Sequence, residues 1–205
     1  MTVHGLLLAA GSGSRMGKPK ALVDGWLSRS VDTLQAGGCH EVTVVLGAAA
    51  DEASALLAEA GIVVHEVVAR DWAEGMGASL RAGLASLPPD ADAALVTLVD
   101  LPDVGPDVVR RVLAPADTDA PDAQTLRRAT YTGTPGHPVL LGRAHWAGVA
   151  DSAAGDRGAR DYLVAHDADA VECGDLATGE DQDGLQESPP APPGETPTFG
   201  QPGRQ

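Results

Sequence analysis

The chain has 205 residues, which suits one α/β domain, and it is rich in small apolar residues but only 3% aromatic, so a base-stacking surface is not expected. Its formal net charge of −15 opposes binding to nucleic acid or to an anionic membrane surface, so we expect neither as a partner. Cys39 and Cys173 lie far apart without a Cys-x-x-Cys pair, which excludes a recognisable zinc motif or disulfide framework.

Short β-branched runs alternate along the chain with Ala- and Leu-rich stretches, a pattern typical of βαβ units around a parallel sheet. In chain order we predict strands at Val3–Ala9, Glu41–Leu46, Ile62–Val68, Ala93–Val99, Val139–Leu141 and Ala170–Cys173, and helices at Leu27–Ala36, Ala49–Ala60, Ser79–Ser86, Pro106–Leu113 and Ala159–Ala165. Residues 118–134 are polar and receive no assignment. Residues 1–187 are predicted to form the domain, and the Pro- and Gly-rich residues 188–205 a disordered tail.

The first apolar run, Leu6 to Ala10, is too short for the core of a signal peptide, and no basic segment precedes it. We therefore expect a cytoplasmic protein.

The segment after the first predicted strand, Ala9 to Lys20, has the composition of a phosphate-binding loop. Small residues such as Ala10, Gly11 and Gly13 let backbone N–H groups approach an anion, and Arg15 and Lys20 can neutralise charge on phosphoryl oxygens. An ordinary βα turn with solvated cations is the alternative. The chain is acidic, yet three of its basic residues fall within six positions of this loop, which favours the phosphate-binding interpretation.

Two better-known phosphate loops do not fit this segment. A dinucleotide fingerprint requires Gly-x-Gly-x-x-Gly, but Met16 stands at the third glycine position, which disfavours a Rossmann dehydrogenase. A Walker loop requires four residues between its glycines and a Ser or Thr after its lysine. Here five residues separate Gly11 from Gly17, and Pro19 occupies the hydroxyl position, which disfavours a P-loop enzyme.

Asp100 follows the fourth predicted strand, at the edge where parallel sheets bind ligands. Its carboxylate can hold Mg²⁺ against a triphosphate, although an aspartate before Pro102 is also a common turn residue. The phosphate-binding loop on the first strand favours the metal interpretation.

The stretch from Leu8 to Lys20 resembles the Leu-x-Ala-Gly-x-x-x-Arg-Met-Gly-x-x-Lys signature of the molybdenum-cofactor nucleotidyltransferases, in particular the molybdopterin cytidylyltransferase-like branch. Further family-like segments follow in the expected order, at residues 75–83, 98–102, 136–139, 155–160 and 178–183. The resemblance implies a three-layer, Rossmann-like α/β fold with a mostly parallel central sheet.

The same resemblance implies roles for further residues. It implies that Gly75, Gly77 and Ser79 contact the nucleobase, that residues 155–160 lie near the pterin, and that Asp181 is a second metal ligand, with Asp183 the other possibility. His137 is a candidate substrate contact, although a single histidine in a loop is more often structural.

The expected reaction is attack by an acceptor phosphate on the α-phosphorus of a nucleoside triphosphate, with Mg²⁺ as cofactor and Arg15, Lys20 and Asp100 as catalytic residues. The resemblance implies a molybdopterin-type acceptor and a molybdoenzyme, or its chaperone, as a further partner. It also favours CTP, because the guanylyltransferase branch usually has Gly-Gly where this chain has Ala10-Gly11.

Two alternatives stay open. One is a nucleotidyltransferase acting on a sugar phosphate or a phospholactate-type precursor, which would share the loop and the aspartate. The other is a catalytically silent chaperone that inserts a cofactor into its client, which the presence of Arg15, Lys20 and Asp100 disfavours.

Overall fold

The computed structural model describes residues 1–116, 118 and 120–182. The predicted tail, the domain boundary at residue 187 and Asp183 lie outside these residues. The strands are β1 (Val3–Leu8), β2 (Glu41–Leu46), β3 (His65–Val68), β4 (Ala93–Leu98), β5 (Leu126–Tyr131), β6 (Thr134–Gly142) and β7 (Asp169–Glu172). The α-helices are α1 (Trp26–Gly37), α2 (Ala50–Glu59), α3 (Met76–Ser86), α4 (Pro106–Leu113), α5 (Trp146–Ser152) and α6 (Arg160–Ala165).

The strands in this part of the chain form one sheet in the order β3-β2-β1-β4-β6-β5-β7. β1 runs parallel to β2 and β4, β2 runs parallel to β3, and β5 runs parallel to β7. β6 is antiparallel to both of its neighbours, β4 and β5. The carboxyl ends of β1 and β4 therefore meet at one edge of the sheet, where the loop of residues 9–20 and Asp100 begin.

Helices cover both faces of this sheet. All six residues of β1 are buried, and they alternate between two apolar clusters, with Leu7 in one and Leu6 and Leu8 in the other. The Leu7 cluster includes side chains of α1, α2 and α4, whereas the Leu6 cluster includes side chains of α3, α5 and α6. Burial on both faces explains why β1 is largely apolar rather than alternating, with His4 as its one polar side chain. The predicted three-layer α/β fold with a mostly parallel sheet is confirmed.

The polar residues 118–134, which received no assignment, contain β5 and the turn of a β5–β6 hairpin. Thr132 and Gly133 both have positive φ, at 51° and 77°, as a two-residue hairpin turn requires. The Glu172 carboxylate stabilises this turn by accepting hydrogen bonds from the Thr132 and Gly133 N–H groups, at 2.8 and 3.1 Å, and from the Thr130 hydroxyl at 2.9 Å. These bonds, together with one from the Gly174 N–H, lower the pKa of Glu172 to about 2.

Two helices differ from the prediction. α3 begins at Met76, three residues before the predicted start at Ser79, because Gly75 has φ 111° and ends the preceding turn. α5 has only seven residues, with Gly148 among them, so it carries no recognisable helical period. Among the described residues, no helix is both long and apolar enough to cross a bilayer.

Candidate active site

The loop after β1 folds tightly enough to require glycine. Gly13 has φ 61°, and a Cβ added there would lie 1.9 Å from the carbonyl oxygen of Lys18. The Met16 N–H donates to the Gly13 carbonyl at 2.9 Å, which closes the turn. Gly11 has open space where a side chain would be. The loop therefore has a constrained base at Gly13 and an open surface at Gly11, which suits backbone contact with an anion.

The loop forms one wall of a cleft of about 370 Å³ at the carboxyl ends of β1 and β4, which we call the main cleft. This volume is within the usual range of small-molecule sites. The main cleft is lined by Leu8, Ala9, Ala10, Gly11, Ser12, Gly13, Ser14, Arg15, Met16, Lys20, Trp72, Ala73, Gly75, Met76, Ser79, Leu98, Val99, Asp100 and Asp156. The structure thus brings together most of the sequence-predicted site residues.

Lys20 and Asp100 form an ion pair in the main cleft, between Lys20 Nζ and Asp100 Oδ2. The Asp100 side chain is 9% exposed and that of Lys20 is 20% exposed, so both charges are largely removed from water. Lys20 begins the 3₁₀ turn Lys20–Leu22 that ends the loop, and Asp100 lies two residues beyond β4. The pair therefore joins the two strand ends that form the site.

Two predicted base-contacting glycines have structural roles. A Cβ on Gly75 would lie 2.5 Å from the Gly155 carbonyl carbon, and one on Gly77 would lie 2.8 Å from the Ala154 backbone nitrogen. Gly75 also lines the main cleft, but Gly77 does not. Gly77 instead allows α3 to pack directly against the backbone that follows α5. Ser79 is 3% exposed and lies within the first turns of α3.

Asp181 is not among the residues that line the main cleft. It belongs to residues 177–182, which we call the C-terminal strap. The Gln182 N–H donates to the Asp100 carbonyl at 2.9 Å, and Asp103 Oδ2 accepts from the Thr178 N–H at 2.6 Å and the Thr178 hydroxyl at 2.7 Å. The strap therefore holds the exposed Asp181 beside the strand end that carries Asp100.

Gly179 in the strap packs against an aromatic ring. It has φ 68°, and a Cβ there would lie 2.1 Å from Cε2 of Tyr131. The Tyr131 hydroxyl donates to the carbonyl of His137 at 2.5 Å. The strap thus depends on glycine at position 179.

His137 lies in a second cavity of about 260 Å³, which we call the acceptor-side cavity. This cavity shares Leu8, Met76 and Asp156 with the main cleft, and its other lining residues are Leu80, Val96, Arg128, His137, Val139, Leu141, Arg157, Ala159, Arg160 and Leu163. Burial, with a smaller contribution from the Arg128 cation, lowers the pKa of His137 to about 4. His137 is therefore neutral at pH 7 and lies beside the main cleft rather than in its lining.

Sequence reasoning missed Trp72 and Arg128. Trp72 lies in the short 3₁₀ turn Trp72–Glu74 just before Gly75, and its half-buried side chain lines the main cleft. Arg128 lies on β5, in the stretch that received no assignment. The Thr132-Gly133 turn between two partly apolar runs was the available signal for that hairpin.

A family model described as the MobA-like NTP transferase domain matches residues 5–170 of this chain. Nicotine blue oxidoreductase from Paenarthrobacter nicotinovorans is 36% identical over 204 residues, covering 90% of this chain and 94% of that protein.

Solved structures have the same fold. Rv0371c from Mycobacterium tuberculosis has a TM-score of 0.69 and 26% identity, covering 90% of this chain and 95% of its own. A nucleotidyl transferase from Methanothermobacter, Mth528, has a TM-score of 0.67 and 23% identity, covering 84% of this chain and 87% of its own. The second of these likenesses supports the fold alone.

Proposed function

This chain belongs to the family of MobA-like NTP transferase domains, and from that premise we propose that it transfers CMP from CTP to the phosphate of a molybdopterin-type acceptor. In this reaction an acceptor phosphate oxygen forms a bond to the α-phosphorus of CTP, and the bond to the bridging oxygen breaks, so that pyrophosphate leaves. The observation that carries the proposal is that Arg15, Lys20 and Asp100 line one cleft together with the glycine loop.

The chain's own groups would act by positioning the substrate and balancing its charge. The open surface at Gly11 would receive triphosphate oxygens on backbone N–H groups, while Arg15 and Lys20 would offset the negative charge that grows on the transferring phosphoryl group. No covalent enzyme intermediate is required, since in-line transfer needs only aligned reactants.

The residues present fit a magnesium ion. Mg²⁺ usually takes one or two protein carboxylates, with substrate phosphates and water as its other ligands. Within the described residues no group of three or more His, Cys, Asp or Glu side chains could form a metal cage. Asp100 in the main cleft, with Asp181 held nearby by the strap, would supply the one or two carboxylates that Mg²⁺ usually takes from a protein. When bound, Mg²⁺ would supply charge neutralisation to the triphosphate.

The preference for CTP rests on Ala10, which is 4% exposed and lines the main cleft. Its methyl group removes space that a Gly-Gly sequence would leave open, and we infer that a purine loses more from this than a pyrimidine.

A pyrophosphate-release assay tests the proposal. The purified protein is incubated with Mg²⁺, molybdopterin and CTP, GTP, UTP or dTTP in turn. We expect release with CTP to exceed that with the other triphosphates, and to require both the acceptor and Mg²⁺. If release requires a sugar phosphate instead of molybdopterin, the acceptor is a sugar phosphate. If no triphosphate gives any release, the proposal is contradicted.

The 36% identical relative supports a second candidate, reduction of nicotine blue. That relative is named as an oxidoreductase, so the missing dinucleotide fingerprint in this chain does not by itself exclude the same activity here. Loss of nicotine blue absorbance in the presence of NADH or NADPH, without pyrophosphate release from any triphosphate, would favour the reductase.

A further inference from the structure

The acceptor-side cavity contains an arginine with an unsatisfied buried atom. The Nε atom of Arg128 is buried and has no hydrogen-bond partner in the described part of the chain. Burial, followed by repulsion from Arg160, lowers the pKa of Arg128, although a guanidinium remains charged at neutral pH. A buried N–H group without a hydrogen-bond partner is costly, which points to a ligand as the partner of this group.

Positive charge is concentrated around this cavity, although the whole chain has a net charge of −15. Arg128, Arg157 and Arg160 all line it, and Asp156 is the carboxylate in its lining. Arg157 pairs with Asp161 at 2.8 Å, so its charge is already balanced. Arg128 and Arg160 therefore remain as two neighbouring cations directed at one space.

The rest of the lining is apolar. Leu80, Val96, Val139, Leu141 and Leu163 form walls that suit a ring system rather than a hydrated ion. The cavity adjoins the main cleft, since Leu8, Met76 and Asp156 line both, so a group bound in the cavity would lie beside the main cleft.

We propose that Arg128 and Arg160 bind an anionic group of the acceptor other than its attacking phosphate. This proposal rests on the proposed transfer reaction, and it narrows the acceptor to a ring compound with a second negative group on or beside its ring system. An acceptor whose only charge is the attacking phosphate would leave the Arg128 cation unpaired. The two arginines are thus binding residues that select the acceptor.

The test uses two fluorescent pterins that differ in one charged group. Pterin-6-carboxylate carries an anion on the ring system, whereas 6-hydroxymethylpterin is neutral at pH 7. Binding of each is titrated by fluorescence with the full-length protein and with Arg128→Met and Arg160→Met. Arg110→Met is the matched control, because Arg110 lies on α4, lines neither cavity and loses the same charge.

We expect each cavity variant to bind pterin-6-carboxylate about 10-fold more weakly or worse, the typical loss for a charge-assisted hydrogen bond, with 6-hydroxymethylpterin changing less than about twofold. The control should match the parent. Saturable binding of pterin-6-carboxylate should persist with CTP and Mg²⁺ present, since the acceptor and nucleotide must bind together. Arg128→Met should also melt no lower than the parent, because it removes a buried N–H group that has no hydrogen-bond partner.

Three results would overturn the proposal: no saturable binding of pterin-6-carboxylate to the parent, equal loss of both pterins in Arg128→Met, or displacement of the pterin by CTP. These outcomes are independent of turnover. If the protein releases no pyrophosphate but its variants still discriminate between the two pterins, the transfer reaction is contradicted. The anion-binding role of Arg128 would then still stand.

Discussion

Replacing Lys20 by Met keeps the length of the side chain and removes its charge from the main cleft. Because Lys20 is 20% exposed and its partner Asp100 is 9% exposed, the lost charge acts in a largely desolvated site. Removing such a contact from an active site typically lowers the rate by about 10² to 10³-fold, or about 2.7–4 kcal/mol. A solvated surface cation would contribute at most about 1 kcal/mol, which corresponds to about fivefold. The two interpretations therefore differ by more than an order of magnitude.

The same substitution should have an opposite effect on metal binding. In the parent protein the Lys20 ammonium pairs with the Asp100 carboxylate, so a cation must compete with it for that oxygen. We therefore expect Lys20→Met to bind Mg²⁺ more tightly than the parent in the absence of nucleotide, while turning over far more slowly with it.

Isothermal titration with Mg²⁺ and the pyrophosphate-release assay measure the two effects on the same samples. Lys18→Met is the control, because Lys18 lies in the same loop but does not line the main cleft. If Lys20→Met retains a rate within about fivefold of the control, the effect is that of a surface cation and the reasoning from desolvation fails. Weaker Mg²⁺ binding would refute the competition for Asp100.

Three other substitutions test neighbouring features. Asp100→Asn should abolish pyrophosphate release while its circular dichroism matches that of the parent, because an amide of equal size replaces a metal ligand. Gly179→Ala should cost about 1–3 kcal/mol and lower the melting temperature by several degrees, because its Cβ meets the Tyr131 ring at positive φ; an unchanged melting temperature would show that the strap is loose. Glu172→Gln should melt below the parent at neutral pH. Because folding lowers the Glu172 pKa from 4.5 to about 2, this difference should be present above pH 4.5 and disappear as the pH falls toward 2, which an acid-melting series checks.

The first half of the fold could be predicted because its signals are local. β1, β2 and β4 are largely apolar and buried on both faces, and α1 is capped at its C-terminus by Gly38, which has φ 113°. β5 could not be predicted, since it includes Arg127 and Arg128, which oppose a strand assignment from hydropathy alone. The burial of Arg127 is compensated by tertiary contacts, such as its 3.0 Å bond to the Leu113 carbonyl, which leave no trace in the local pattern.

Some residues of the candidate site could likewise be predicted from the sequence, and others could not. The glycine loop and Asp100 follow predicted strands, so their meeting in the main cleft follows from the topology. The functional roles of these residues stay predictions. The predicted contact of Gly77 with the nucleobase stays a prediction; the structure adds that Gly77 packs against the Ala154 backbone, a constraint that only the position of α5 reveals. Arg128 reaches the acceptor-side cavity on β5, the strand that the sequence did not indicate.

The C-terminal strap limits where this domain can be truncated. The family match ends at residue 170, inside β7, and the last described strand ends at Glu172, so a boundary at residue 172 would retain the whole sheet. It would also remove Thr178 and Gln182, whose hydrogen bonds reach Asp103 and Asp100. We expect such a truncated protein to keep most of its core and to lose the support of the sheet edge that carries Asp100. The functional unit is therefore longer than the folding unit, and fusion or expression boundaries should lie beyond residue 182.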